Sequence, residues 1–187
     1  MSKKDNKNLL MIVLRYLFAL IIALNISLLY AIFSPLTIYP VYFLLKLFYN
    51  AVLIYNAVLI NNATISLIDA CIAGSAYYLL FLLNFSVSMP VKKRIFSLFF
   101  SLFSFLLINI IRIFIFSILL MNSFQYFDIT HKIFWFFLSG VIVFLVWILT
   151  IKIFKIREIP FYTDIKFVYK LTKHKKKIKN LKKRENS

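Results

Sequence analysis

The sequence predicts an all-α polytopic membrane protein, with about four transmembrane helices and one interfacial or re-entrant helix on the outer face. Of its 187 residues, 63% are apolar and 19% are aromatic. A soluble domain is roughly half apolar and does not collect its apolar residues into runs of spanning length. The placement of the basic residues is the third observation, and it predicts which ends of the spans share a side.

Lys and Arg concentrate in the cytoplasmic segments of membrane proteins, so the positive charges give the orientation. Of the 23 basic residues, four lie within residues 3–15, three at residues 92–94 and 13 from residue 152 onward. These regions are expected to face the cytoplasm of a multi-pass protein in the cell (plasma) membrane. We therefore divide the chain into an integral-membrane domain, residues 1–151, and a basic cytoplasmic tail, residues 152–187.

The tail carries most of the net charge of +17. Anionic lipid headgroups attract such lysine-rich segments, so the tail is expected to be a topology anchor that contacts membrane lipids. A charge of this size beside a membrane needs no nucleic-acid partner, and none is expected. No internal repeat is apparent in the chain.

The first apolar run, residues 9–33, is predicted to be a span that leaves the cytoplasm. It is too long for a signal-peptide core and has no small-residue cleavage site behind it. Pro35 and Pro40 are predicted to break the chain, so that residues 41 to about 55 form the interfacial helix. Residues 61–68 are then predicted to form a turn and a short extended piece.

Three more spans follow, over residues 72–88, 95–120 and 132–151, which run inward, outward and inward. An arrangement with five crossings stays open, in which residues 41–60 also cross the membrane. That arrangement requires either residues 92–94 on the outside or an external N-terminus, and both oppose the charge bias.

Reactive side chains are then expected together on the outer face. Cys71 is the only cysteine, which excludes an internal disulfide and a multi-cysteine zinc site, so its thiol is either packing material or a reagent. Because it precedes a span, unsatisfied helix amides would favour a thiolate. Asp69 would oppose that second negative charge and is expected to cap the helix or to pair with a basic group. Gly74 would allow a substrate main chain to approach.

Arg112 lies in an apolar helix, about 26 Å along the helix axis from residue 95. A guanidinium is costly at membrane depth, so it should face the bundle interior or a wet cavity, with snorkelling to the headgroups as the alternative. Asn109 lies on the same helical face and could bind the same ligand. His131 opens the last span, where a histidine is either an interface residue or a proton carrier.

Together these side chains suggest covalent catalysis. Cys71 would attack a peptide carbonyl, His131 would take or return the proton, and Arg112, supported by Asn109, would stabilise the oxyanion. The sequence has no His-Glu-x-x-His motif and no glycine-rich phosphate loop, so neither a metal nor another cofactor is expected.

These residues resemble the exosortase/archaeosortase family of integral-membrane cysteine transpeptidases, and the short chain is similar to the family's compact archaeal members. The resemblance covers residues 64–151. It rests on DACIAGSAYY at residues 69–78, on NIIRI at residues 109–113, and on His131, in the family's order and spacing.

The resemblance implies that Cys71, Arg112 and His131 are catalytic. Gly74 and Ser75 join Asn109 as candidate substrate-binding residues. The family more often has Cys-Ser-Gly or Cys-Thr-Gly, whereas two other residues separate the cysteine from the glycine in this chain.

By the same resemblance, the partners are secreted proteins with a C-terminal signal made of a short motif, a hydrophobic helix and a basic cluster. The enzyme would cut near the motif on the extracytoplasmic face, form a thioacyl intermediate, and transfer the protein to a lipid or to another amine or hydroxyl acceptor. Two other classes stay open. A small transporter or channel could use Arg112 to bind an anion, and a non-catalytic scaffold could use the aromatic faces to pack.

Overall fold

The computed structural model describes residues 3–60, 63–122, 125–133 and 137–185 and is mostly helical. The elements are α1 Lys3–Leu24, α2 Ile26–Phe48, β1 Ala51–Ile54, β2 Ala57–Ile60, β3 Ala63–Ser66, α3 Asp69–Ile72, α4 Gly74–Phe85, α5 Val91–Met121, α6 Phe127–Ile133, α7 Ser139–Ile153 and α8 Tyr162–Glu185. The helical prediction is confirmed in the main, and the three strands make the all-α prediction wrong in one segment.

Two of the described helices, α2 and α5, are long and apolar enough to cross a membrane. Shorter apolar helical stretches lie at residues 8–24, 69–85 and 139–153. Large apolar side chains are exposed along these helices, among them Leu24, Phe99 and Phe144. A soluble monomer rarely exposes so continuous an apolar surface. The four crossings and their directions stay a prediction.

The N-terminal third differs from the prediction in two ways. The apolar run at residues 9–33 is divided at Asn25, whose side-chain Nδ2 donates to the Ile21 carbonyl at 3.0 Å. Helix α2 then continues through Pro35 and Pro40, so the predicted break and the separate interfacial helix over residues 41–55 are both wrong. Apolar helices tolerate proline where neighbouring helices pack around the freed backbone groups, and α2 packs against α4 and α5.

Strands β1, β2 and β3 form an antiparallel meander in the order β1-β2-β3. Its signal is the sequence AVLIYN-AVLINN-ATIS, a six-residue repeat that the expectation of no repeat overlooked. Strands β1 and β2 are each followed by a two-residue, Asn-containing link, the length typical of a hairpin turn. Tyr55, in the first link, has φ 53°. The predicted extended piece before Cys71 is confirmed as β3, whereas the predicted turn at Asn61 and Asn62 lies outside the described residues.

Helix α4 lies at the centre of the helical packing and contacts α1, α2, α5 and α7. Its Tyr77 is completely buried. The Tyr77 ring stacks on Phe33 of α2 with centroids 3.6 Å apart, and it meets Phe105 of α5 edge-on at 4.9 Å. This aromatic contact joins the three helices six residues after Cys71 in the chain.

The last predicted span, residues 132–151, is replaced by two elements. The short helix α6 carries His131, and α7 begins only at Ser139. Residues 134–136 between them lie outside the described part of the chain. Helix α5, in contrast, contains the whole of the predicted span at residues 95–120.

Candidate functional site

Cys71 lies in α3, a single helical turn that ends before α4 begins. The turn ends at Ala73, whose φ of 59° lies in the left-handed region. The Cys71 N–H donates to the Ile68 carbonyl at 2.8 Å, so the expectation that it opens a span with an unsatisfied amide is wrong. The expected cap is absent too, because no side-chain hydrogen bond caps α3 and the Asp69 carboxylate is exposed.

Two side chains of α5 hold this turn by its main chain. Asn109 Nδ2 donates to the carbonyl of Cys71 at 3.0 Å and to that of Ile72 at 3.4 Å. Arg112 Nη2 donates to the same Cys71 carbonyl at 3.2 Å. Asn109 is only 2% exposed. Its amide therefore supports the Cys71 turn, whereas a role in ligand binding was expected.

Among the described residues, a salt bridge joins Arg15 and Asp164, and Arg112 has no ion pair. One guanidinium N–H is used on the Cys71 carbonyl, and an arginine side chain has five. The remaining donors and the positive charge are therefore available to a ligand.

His131 is held between two aromatic rings. It stacks on Phe127, one turn earlier in α6, with centroids 5.7 Å apart and an interplanar angle of 5°. Phe116 of α5 meets the imidazole edge-on at 5.5 Å. These contacts fix the ring on α6 beside α5.

Cys71, Arg112 and His131 line one cavity of about 190 Å³. The predicted catalytic side chains, from three separate helices, thus share a single space. The rest of the lining is mainly apolar and includes Phe116 and Phe127. It also includes five consecutive residues, 64–68, which were not among the predicted site residues. Their signal was the strand repeat that leads to Cys71.

Gly74 and Ser75 lie elsewhere. A Cβ on Gly74 would be 2.6 Å from Cζ of Tyr30. Gly74 therefore allows the Tyr30 ring to approach closely, whereas the close approach of a substrate main chain was expected. Ser75 lines a second cavity, of about 500 Å³, with Tyr30 and Asp69. Arg112 lines both cavities.

No protein-family model, no curated protein and no solved structure matches this chain.

Proposed function

We propose that this protein is a membrane-embedded cysteine transpeptidase that cleaves the C-terminal sorting signals of secreted proteins. The observation that carries the proposal is the shared cavity of Cys71, Arg112 and His131. A nucleophile, a charged hydrogen-bond donor and a proton carrier around one small apolar space are the groups that acyl transfer through a thioester requires. The three side chains come from three separate helices, so their proximity does not follow from closeness in the sequence.

In the proposed reaction the Cys71 thiolate attacks the scissile carbonyl carbon of the substrate. A C–S bond forms, and the negative charge on the carbonyl oxygen is stabilised by the free N–H groups of Arg112. The C–N bond then breaks, and the amine leaves with a proton from His131. In the second half, neutral His131 takes a proton from an amine or hydroxyl acceptor, which displaces Cys71 from the thioester.

The hydrogen bonds from Asn109 and Arg112 to the Cys71 carbonyl fix the position of the nucleophile. Preorganisation of this kind matters because a reacting atom displaced by about 1 Å costs on the order of a hundredfold in rate. Asn109 is thus a positioning residue, and Arg112 acts both on the turn and on the oxyanion.

The backbone at Ala73 supports the family resemblance. The resembled family more often has a glycine two residues after its cysteine, and in this chain that position is Ala73. Its φ of 59° is a conformation that glycine adopts at no steric cost. The glycine of the resembled family and the left-handed Ala73 of this chain therefore both lie two residues after the cysteine.

We further propose that the cavity faces the extracytoplasmic side of the cell membrane and that the basic tail is cytoplasmic, as the distribution of Lys and Arg predicts. The substrate would then be a secreted protein whose terminal helix spans the same bilayer. Confinement to two dimensions brings the substrate helix to the enzyme, and the motif just outside the helix would reach Cys71 at the correct depth.

The test is processing of co-expressed proteins that are encoded in the same genome and end in a motif, a hydrophobic helix and a basic cluster. Cys71→Ala should abolish cleavage, and Arg112→Ala and His131→Ala should each lower it by about a hundredfold or more. Lys132→Ala is the matched control, because this exposed neighbour of His131 lies on the same short helix. Hydroxylamine should release a thioester-linked substrate fragment from the unmodified enzyme only.

Membrane insertion of each variant is checked by extraction into detergent, and sidedness by labelling of Cys71 with an impermeant thiol reagent on intact cells. Normal cleavage by an inserted Cys71→Ala variant would refute the proposal. Loss of anion flux in Arg112→Ala, with no cleavage by any variant, would favour the transporter instead.

A further inference from the structure

Strand β3 has one edge that no described strand covers. It pairs with β2 on one side only, in the register Val58↔Ile65 and Leu59↔Thr64. The N–H of Leu67 donates to the Asn56 carbonyl at 2.8 Å, which continues this ladder beyond the strand.

The ladder determines which main-chain groups are free. Successive residues of a strand direct their N–H and C=O groups to opposite edges. Since Leu67 faces β2, Ile65 also faces β2, and Thr64 and Ser66 direct their N–H and C=O groups away from the sheet. No main-chain hydrogen bond joins Thr64 or Ser66 to another described element.

This free edge lies on the catalytic cavity. Residues 64–68 all contribute to the lining, together with Cys71. Side chains alone would place only alternate residues of a strand against one space, because they alternate between the two faces. An unbroken run of lining residues therefore indicates that the edge of the strand, with its main-chain groups, borders the cavity.

The edge also lacks the features that normally prevent strand pairing. Exposed edges are usually protected by charged side chains, proline or bulges. The sequence ATISLI at residues 63–68 has neither charge nor proline, and the register with β2 is regular. Cys71 follows Ser66 by five residues, so a chain paired with this edge would lie within a few residues of the thiol.

We propose that the substrate polypeptide binds in an extended conformation as a fourth strand on the free edge of β3, which delivers its scissile bond to Cys71. This inference rests on the proposed function and assigns its means of substrate recognition. The main chain of the substrate would hydrogen-bond to the N–H and C=O groups of Thr64 and Ser66. Affinity would then come largely from the substrate backbone, and the small cavity would select the side chains beside the scissile bond.

The test separates main-chain from side-chain contributions at one position. Ser66→Pro removes a free-edge N–H but leaves the ladder to β2 intact, since an edge strand accepts proline where the N–H faces outward. It should lower processing of the co-expressed tail-signal proteins by roughly tenfold or more. Ser66→Ala keeps the N–H, so its processing should stay about fivefold or more above that of Ser66→Pro. Thr64→Pro and Thr64→Ala should repeat this difference.

Integrity of the site is measured by the rate of Cys71 alkylation with N-ethylmaleimide, which should be unchanged in the proline variants. A second measurement does not depend on their folding: a photo-crosslinking benzoylphenylalanine at Ser66 should capture the substrate protein. The same residue at Tyr55 should not, although Tyr55 belongs to the same meander and is 96% exposed.

The inference is overturned if the proline variants process substrate normally while Cys71→Ala does not, or if Ser66 and Tyr55 crosslink equally. Normal processing by Cys71→Ala is the separate result that removes the proposed function itself. If the proline variants do not insert, the crosslinks decide alone.

Discussion

The two ends of helix α4 are built alike but differ in charge. Just before the helix, the Cys71 carbonyl accepts hydrogen bonds from Asn109 and Arg112 at 3.0 and 3.2 Å. Just after it, the Val87 carbonyl accepts from Arg15 at 3.0 Å and from Arg94 at 2.8 Å. Each end thus fixes one main-chain carbonyl with two side-chain donors from neighbouring helices.

Charge compensation separates the two ends. Arg15 also forms an ion pair with Asp164 of α8, in which its Nη2 donates to both carboxylate oxygens, at 2.7 and 2.8 Å. The exposed fractions of the two side chains are only 10% and 7%. Arg112 has no such partner among the described residues, although both arginines line cavities. A buried arginine that is neutralised by a carboxylate is suited to holding structure, whereas one left uncompensated beside a cavity is suited to binding negative charge.

The largest effect is expected when the compensated end is broken. Asp164→Ala leaves the Arg15 guanidinium buried without a counter-charge and also removes the acceptor of the Tyr16 hydroxyl, 3.1 Å away. We expect a loss of about 3–5 kcal/mol in the free energy of unfolding, measured by SDS titration in mixed micelles. Asp69→Ala is the control, because that carboxylate is exposed, and it should change stability by less than about 0.5 kcal/mol.

The double variant Arg15→Met/Asp164→Leu sharpens this result, because an apolar pair of similar volume often replaces a buried ion pair at little cost. It should recover most of the stability that Asp164→Ala loses. An Asp164→Ala protein as stable as the unmodified chain would mean that the ion pair does not hold α8 to α1.

An intermediate effect is expected at the Cys71 end. Asn109→Leu removes two hydrogen bonds to the α3 turn, and we expect a loss of about 1–3 kcal/mol in stability. The matched control is Asn84→Leu, since Asn84 is also buried and donates to Ser97 Oγ at 2.7 Å. Both variants should lose similar stability, but only Asn109→Leu should change the alkylation rate of Cys71.

Equal alkylation rates in the two variants would show that Asn109 contributes to packing and not to the position of the thiol. A changed rate in Asn84→Leu would show that any loss of core hydrogen bonding loosens the site. Circular dichroism at the assay temperature verifies that each protein stays folded during labelling.

The side chains of the candidate site could be predicted from sequence because reactive and charged residues are rare in the apolar runs of this chain. One cysteine and one arginine inside long apolar runs are costly to place unless they meet a partner or a cavity. The direction of the spans then predicted that their ends, and His131, would meet. The role of Asn109 could not be predicted, because a hydrogen bond to a main-chain carbonyl leaves no pattern in the sequence.

The fold was predicted less well where local rules compete with packing. Pro35 and Pro40 usually end a helix, yet buried Val41 and Leu45 of the same helix pack in the core and α2 continues. Strands β1 and β2 were missed because each is only four residues long and equally apolar on both faces, so they lack the alternation that marks a strand. Asp164 was missed as well, since nothing in the sequence of the basic tail shows that this carboxylate is buried.

The smallest effect is expected at Ala73, the residue that separates the Cys71 turn from α4. Since its φ of 59° disfavours any residue with a Cβ, Ala73→Gly should raise the free energy of unfolding by up to about 1 kcal/mol. Ala31→Gly is the matched control, because Ala31 is exposed inside α2, where glycine should lower stability by about 1 kcal/mol. The same substitution therefore has opposite signs at the two positions, measurable as shifts of Tm in detergent. A loss of stability in Ala73→Gly equal to that in Ala31→Gly would place Ala73 in ordinary helical backbone, and the Cys71 turn would then be part of α4.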